Sequence, residues 1–171
     1  MPVFLARMFS SQKWRPAADL GAGEISADAV TTDLRTTGNG LSFWRCGDGT
    51  MDELENVVIA IAVQRHTIER MDLVWIDEKT LLGDGIALDI TPGETRFEAM
   101  RGQHRDAVRL DYVRLGAIAR RVAAAVADER HHRFAKSHVA EILAREVQDG
   151  LIDRDQLTDG LRNAVDAQWR A

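Results

Sequence analysis

Residues 41–77 constrain the fold most strongly, because they pass from a strand-like pattern to a helix-like pattern and back. Residues 41–46 alternate between apolar and polar side chains, as half-buried strands do. A capping-box pattern begins at Thr50 and precedes an apolar stripe with helical spacing over residues 50–68. Residues 72–77 are a short apolar run rich in strand-forming side chains. This order predicts a βαβ unit, in which a right-handed crossover joins two parallel strands.

The rest of the chain reads as one further strand followed by helices. Residues 86–90 alternate and predict a third strand, while apolar residues recur every three or four positions between residues 95 and 128. The patterns near the C-terminus predict a helical hairpin. The expected fold is therefore α/β or α+β, with a small, partly parallel sheet of about three strands that C-terminal helices cover. The expected divisions are an α/β body with a loop-rich N-terminus, one long helix or two helices, and the hairpin, at residues 1–93, 94–128 and 129–171.

Composition places the chain among ordinary globular proteins. Its 171 residues include 22 basic and 27 acidic side chains, and 45% are hydrophobic. This balance excludes a disordered acidic tail, a collagen-like chain and a coiled-coil rod. Cys46 is the only cysteine, so no internal disulfide is possible. No stretch approaches the roughly 20 apolar residues that span a bilayer. These features predict a cytoplasmic protein with no membrane partner.

Positive charge is concentrated in residues 96–145, although the whole chain has a net charge of −5. Two interpretations remain open. The segment is either a solvated helix face packed near acidic neighbours, or an electropositive surface for RNA, DNA or an acidic protein. Guanidinium groups suit bidentate contacts with phosphate or carboxylate. The candidate binding residues in this segment are Arg120, Arg121, Arg130 and Arg133.

A second set of candidate binding residues precedes and enters the first predicted strand. Residues 35–40 form a polar, glycine-containing loop whose backbone N–H groups could face an anion. The alternative is a simple turn in which Asn39 adopts positive φ. If the protein has a small-ligand pocket, Arg35, Asn39 and Trp44 are the residues expected to line it.

Cys46 and Asp48 are candidate catalytic residues. Residues 47–50, Gly-Asp-Gly-Thr, resemble the end of the Asp-x-Asp-Gly-Thr motif of haloacid-dehalogenase-type phosphatases. That resemblance implies an acid role for Asp48, with Cys46 standing in place of the nucleophilic Asp. The alternative is a strand-to-helix turn with a helix cap at Thr50. A nucleophilic thiol also needs a lowered pKa, whereas a lone cysteine near a strand end is commonly an apolar filler.

Arg133 and His138 are a second candidate catalytic pair. Their Arg-x4-His spacing resembles the motif of HEPN-type ribonucleases, which implies RNA cleavage across a dimer of helical bundles. On an ideal helix, however, five residues place the two side chains about 140° apart.

No metal site or cofactor is predicted. His131 and His132 are adjacent, so a helix would point them in different directions, and no cysteine or acidic partner completes a zinc set with His138. His104 lies on the predicted apolar helix stripe, which favours a hydrogen-bonded core histidine.

Taken together, these features favour a non-enzymatic protein-binding or regulatory protein, of an adaptor, immunity or antitoxin kind, whose partner is another protein. The first alternative is an RNA-binding protein or HEPN-like ribonuclease that uses residues 96–145. The second is a small α/β enzyme with its site near Cys46 and Asp48.

Overall fold

A computed structural model describes residues 2–15, 19–21 and 23–170. Residues 16–18 and 22 of the predicted N-terminal loop lie outside these ranges. The described residues contain six strands, which we number in chain order: β1 (Phe4–Met8), β2 (Leu41–Arg45), β3 (Met71–Asp77), β4 (Ala87–Ile90), β5 (His104–Val108) and β6 (His131–Phe134).

All six strands form one antiparallel sheet in the order β4-β5-β2-β1-β3-β6. The prediction of a small, partly parallel sheet of about three strands is therefore wrong, and the fold is α+β. The predicted strands β2 and β3 do run in the same direction, since each is antiparallel to β1. They are not neighbours, because β1 lies between them and forms hydrogen bonds with both.

Seven helices of the described residues lie between or after the strands. They are α1 (Ala27–Asp33), α2 (Met51–Ala62), α3 (Glu78–Gly83), α4 (Glu98–Arg101), α5 (Tyr112–Ala127), α6 (Lys136–Gln148) and α7 (Asp159–Gln168). None of these helices is long and apolar enough to cross a membrane.

Helices pack against both faces of the sheet, so each strand alternates between two apolar environments. Leu5 and Ala6 are both fully buried although they point to opposite faces. We call the face with Ala6 and Leu73 the first face, where α2, α6 and α7 supply most of the packing. The second face, with Leu5 and Val74, packs against residues of α1, α3 and α5.

Residues 94–128 were predicted to form one long helix or two helices; the helices α4 and α5 are present there, but the strand β5 lies between them and was not predicted. His104 and Val108 are four residues apart, a spacing that fits a helix but also places both on one face of a strand. In the sheet, β5 pairs with β2 and β4. The segment before α6 contains a further strand that was not predicted, the short and polar β6.

Candidate functional site

Half of the first face is left open. The helix-covered half consists of β1, β3 and β6, where Leu73 and Phe134 are fully buried. No residue of β4 or β5 belongs to that apolar cluster. We call the part of the first face formed by β2, β5 and β4 the open half. Its side chains are polar where the covered half is apolar.

A chain of hydrogen bonds runs across the open half. Ser42 Oγ donates to Asp106 Oδ1 at 2.8 Å, and Thr91 Oγ1 donates to Asp106 Oδ2 at 2.7 Å. Thr91 Oγ1 also lies 2.8 Å from His104 Nδ1. Strand pairing positions this network, because Ser42 stands directly opposite Asp106.

The network lies in a cleft of about 700 Å³, which we call the open-face cleft. This volume is within the range of roughly 300–1,000 Å³ that is usual for small-molecule sites. The C-terminal end of α2 and the loop after β4 form its walls. Its lining residues are Arg7, Met8, Ser42, Trp44, Ile61, Gln64, Arg65, Thr91, Pro92, Glu94, His104 and Asp106.

Trp44 marks the border between the two halves. Its indole ring packs edge-on against His104, with the ring centres 4.9 Å apart. Gly93 lies so close to the same ring that a Cβ atom there would overlap Trp44 Cη2. The absence of a side chain at Gly93 therefore allows the loop after β4 to lie against Trp44.

Burial lowers the pKa of His104 below its usual value and outweighs the Asp106 carboxylate, which raises it. The His104 side chain is 14% exposed, and its Nδ1 lies 3.9 Å from Asp106 Oδ2. The ring is therefore neutral at neutral pH, and it meets Asp106 through the Thr91 hydroxyl rather than by a direct ion pair.

The Arg7 side chain lies between β1 and β2, which separate after the short stretch over which they pair. Its guanidinium donates to the carbonyl of Ser42 at 2.7 Å and to the carbonyl of Asp33 at 3.0 and 2.8 Å. Burial lowers the pKa of Arg7 to about 10, against the opposing effect of Asp33. Arg7 still carries its charge at neutral pH, although most of its donors are already engaged.

The predicted binding residues Arg35, Asn39 and Trp44 do not form one site. Trp44 lies in the open-face cleft, and Arg35 lines an adjoining groove that shares Ser42 and Asp106 with the cleft. Asn39 has positive φ, as expected for a turn, and lines a separate depression beside Tyr112.

The surroundings of Cys46 do not activate its thiol as a nucleophile. Its side chain is fully buried, and its Sγ lies 3.5 Å from the carbonyl of Phe4. Burial first, and then Glu53 and Asp48, raise the pKa of the thiol to about 12. Asp48 Oδ1 instead accepts a hydrogen bond from the backbone N–H of Thr50 at the start of α2. These contacts are those of a buried filler and a turn.

Arg133 and His138 are not brought together. Arg133 pairs with Asp72 and donates to Ser11, while His138 Nε2 lies 3.1 Å from Glu55 on α2. Because Arg133 precedes Phe134 on β6, and Phe134 packs in the first-face cluster, the Arg133 side chain lies on the second face. The sheet therefore separates the two side chains.

The basic segment is largely paired with the protein's own carboxylates. Arg121 forms two 2.7 Å hydrogen bonds with Asp84, and Arg130 pairs with Asp128. Arg120 is exposed, with no such ion pair among the described residues. The six arginines between residues 96 and 145 that pair with carboxylates are Arg101, Arg114, Arg121, Arg130, Arg133 and Arg145.

Within residues 2–15, 19–21 and 23–170, no three His, Cys, Asp or Glu side chains are grouped so as to hold a metal ion. His131 and His132 belong to β6, where their rings contact Phe9 and Phe134, respectively. Alternation along the strand points these two rings to opposite faces.

Sequence reasoning identified Trp44 but missed Ser42, Thr91 and Asp106, and it placed His104 in a core helix. The alternation of β5 lies in its burial and is masked in the sequence, because the buried Arg105 is charged. Arg105 and Ala107 are buried, while His104 and Asp106 are partly exposed. Recognising this alternation required β5 to be predicted as a strand.

Comparison with known proteins gives no match to a family model, to a curated protein or to a solved structure at a significant level. The two local resemblances therefore depend only on the short motifs at residues 47–50 and 133–138.

Proposed function

We propose that this protein is a non-enzymatic binding or regulatory protein that takes up a small molecule in the open-face cleft. The observation that supports this proposal is the polar network of Ser42, Thr91, His104 and Asp106 on the floor of a cleft of about 700 Å³. A few convergent polar groups between apolar walls are the usual features of a small-ligand site.

Binding is favoured over catalysis because, among the described residues, neither the Ser42 hydroxyl nor the Cys46 thiol is hydrogen-bonded to a histidine that could activate it as a nucleophile. The Ser42 hydroxyl donates to Asp106 rather than to His104. Serine nucleophiles are activated by a base such as a histidine ring, and a carboxylate is a much weaker base than an imidazole. The thiol of Cys46 is buried and has a raised pKa, so it does not supply an alternative.

A thermal-shift screen with small polar compounds tests this proposal. A ligand present at 100 times its Kd stabilises a protein by about 2.7 kcal/mol. For a chain of this length, that corresponds to a rise in Tm of about 5–10 °C. Ser42→Phe is the matched variant, since the exposed Ser42 lies on the cleft floor and a phenyl ring there would occupy the ligand volume.

We expect at least one compound to raise the Tm of the wild type but not that of Ser42→Phe. Circular dichroism of the variant checks that it retains the native fold. Equal shifts in both proteins would place the ligand outside the cleft and contradict the proposal. So would the absence of any shift across charged, neutral and zwitterionic compounds.

A protein partner is a second candidate function, because two large apolar side chains at the start of α5 are exposed. Tyr112 is 93% exposed and Val113 is 77% exposed. They stand beside a depression of about 410 Å³ between α5 and the loop containing Asn39. Aromatic side chains of this kind are enriched where proteins bind one another.

The double variant Tyr112→Ser, Val113→Ser tests this second function. We expect a partner that is crosslinked to the wild type, and then purified, to lose affinity for the double variant. Leu151→Ser is the control, since Leu151 is also exposed but lies between α6 and α7. A partner that is lost equally from the control and the double variant would argue against a docking surface at Tyr112.

RNA binding through residues 96–145 has less support, because six arginines of that segment already pair with carboxylates. A phosphate contact would have to replace those pairs. A salt titration with single-stranded and duplex RNA tests the idea. Affinity that falls steeply with salt would support it, and no binding at low salt would remove it.

A further inference from the structure

The hydrogen bonds of the open-face cleft determine which nitrogen of His104 has the proton. The Thr91 hydroxyl has a single proton, and the Asp106 carboxylate beside it can only accept. Thr91 therefore donates to Asp106 Oδ2 and must accept from His104 Nδ1. Because burial lowers the pKa of His104, the ring has one proton at neutral pH, and this proton is on Nδ1.

This tautomer leaves Nε2 of His104 with a free lone pair. Nε2 has no hydrogen-bond partner among the described residues. Within the described residues, Arg45 Nε is the only side-chain nitrogen or oxygen that is both buried and without a hydrogen-bond partner, so Nε2 of His104 is not a buried atom. Nε2 therefore retains contact with solvent, and His104 is one of the residues that line the cleft.

Asp106 adds two more acceptor positions and a negative charge. Each of its carboxylate oxygens accepts one hydrogen bond, from Ser42 or from Thr91, and each has a second lone pair. Among the Lys, Arg and His side chains of the described residues, only the neutral ring of His104 lies within 4 Å of its carboxylate. The charge of Asp106 thus lacks a cationic partner inside the cleft.

The two cations that line the cleft keep their charge, but each has an acidic neighbour outside the cleft lining, Asp33 for Arg7 and Glu69 for Arg65. Arg7 donates to the carbonyls of Ser42 and Asp33. Arg65 pairs with Glu69 at 3.7 Å and also contacts the sulfur of Met8. At the rim, the exposed Glu94 adds a further negative charge.

Apolar groups complete the walls. Met8, Ile61 and Pro92 line the same cleft, and Trp44 closes it on the side of the covered half. A short hydrocarbon chain would fit against these side chains while a polar end reached the acceptors on the floor.

We infer that the ligand of the open-face cleft is a small primary amine in its ammonium form. Its N–H groups donate to His104 Nε2 and to Asp106, and its alkyl part packs beside Trp44 and Ile61. This inference rests on the proposed ligand-binding function and specifies its ligand class. An organic anion would meet the charges of Asp106 and Glu94, and a neutral alcohol would leave Asp106 without a counter-charge.

The test is an NMR titration of the intact protein with butylamine and diaminobutane, alongside butanol and butyrate as neutral and anionic analogues. We expect the amines to shift the backbone amide signals of Thr91, His104 and Asp106. Butanol and butyrate should bind about tenfold more weakly or worse, since charge-assisted hydrogen bonds are the stronger ones.

Asp106→Asn keeps the size of the side chain and removes its charge, so we expect it to weaken amine binding by about tenfold or more. Glu141→Gln removes one negative charge from the exposed surface of α6 and should leave binding unchanged. Amide spectra of both variants show whether the fold is retained. The nitrogen-15 chemical shifts of the His104 ring give a second measurement, and we expect them to show that the ring proton is on Nδ1.

Each other outcome overturns the inference in a recognisable way. Equal binding of butanol would keep the ligand-binding function and exclude the amine as its ligand class. Preferred binding of butyrate, or an Asp106→Asn variant with unchanged amine affinity, would do the same. A proton on Nε2, or no binding of either amine, would also contradict the proposed recognition.

Discussion

The two halves of the first sheet face use the same strands in different ways. In the covered half, Leu73 and Phe134 are fully buried under α2, α6 and α7. In the open half, Ser42, His104 and Asp106 occupy positions on the same face; Ser42 donates to Asp106, and the Thr91 hydroxyl links Asp106 to His104. Helices cover the half that has apolar area to bury, and the polar half remains a cleft.

This difference indicates that the two halves contribute differently to stability and to ligand binding. Apolar burial stabilises a fold by about 25 cal/mol for each square ångström removed from water. A mutual hydrogen bond adds only about 0.5–1.5 kcal/mol. The covered half should therefore supply most of the stability, while the open half can change its polar contacts when a ligand enters.

Leu73→Ala and Ser42→Ala are the sharpest test of this comparison. Leu73 is fully buried in the covered half, so its truncation leaves a cavity and should cost about 2–5 kcal/mol. Ser42 is exposed and loses one hydrogen bond, so its replacement should cost about 0.5–1.5 kcal/mol. Urea unfolding measures both. Similar losses for the two variants would remove the distinction between the halves.

Gly160→Ala tests how tightly the covered half is closed. Gly160 lies in α7, where helix propensity alone predicts that Ala would stabilise by about 1 kcal/mol. A Cβ atom at Gly160 would, however, overlap the carbonyl oxygen of His66. We therefore expect a loss of about 1–3 kcal/mol. Thermal unfolding decides between the two signs, and a stabilised variant would mean that α7 can move away from His66.

Thr91→Val tests the hydrogen-bond network of the open half. The change keeps the side-chain shape but removes the hydroxyl between His104 Nδ1 and Asp106 Oδ2. We expect a loss of about 1 kcal/mol in urea unfolding. Nitrogen-15 NMR should also show that the Nδ1–H tautomer is no longer enforced. Thr91→Ser restores a hydroxyl and should recover the tautomer, and failure to do so would mean that Thr91 does not set it.

The same contrast explains what could be predicted from the sequence. The covered half has strong local signals, and its predicted helix and strand are present as α2 and β3; the predicted strand β2, which belongs to the open half, is present as well. Their pairing could not be predicted, because β1 is five residues long and contains the charged Arg7. Only contacts distant in sequence, from β1 to residues 44–45 of β2 and to residues 73–77 of β3, place β1 between the two strands.

The candidate site was harder to predict because its residues come from three separated segments. Ser42 belongs to β2, Thr91 follows β4, and His104 and Asp106 belong to β5. Each is an ordinary polar residue in its local sequence. They converge only through the register that sets Ser42 opposite Asp106, and register is a long-range property of the sheet.

The smallest expected effect is the contribution of His104, in the open half, to the pH dependence of the free energy of unfolding. Burial lowers the pKa of His104 in the folded protein below the unfolded value of about 6.5. The unfolded chain therefore takes up a proton at this site before the folded chain does. Stability should be at its full value above pH ~6.5 and should fall as the pH decreases through that value towards the lower folded pKa.

His104→Asn removes this group while keeping a polar side chain beside Thr91. Urea unfolding of both proteins between pH 5 and 8 should show a shallower decline in the variant on the acidic side. Leu73→Ala is the control, since a change in the covered half should lower the wild-type curve without changing its slope. Parallel curves for wild type and His104→Asn would mean that His104 titrates alike in both states. Burial in the open half would then be too slight to hold the ring neutral.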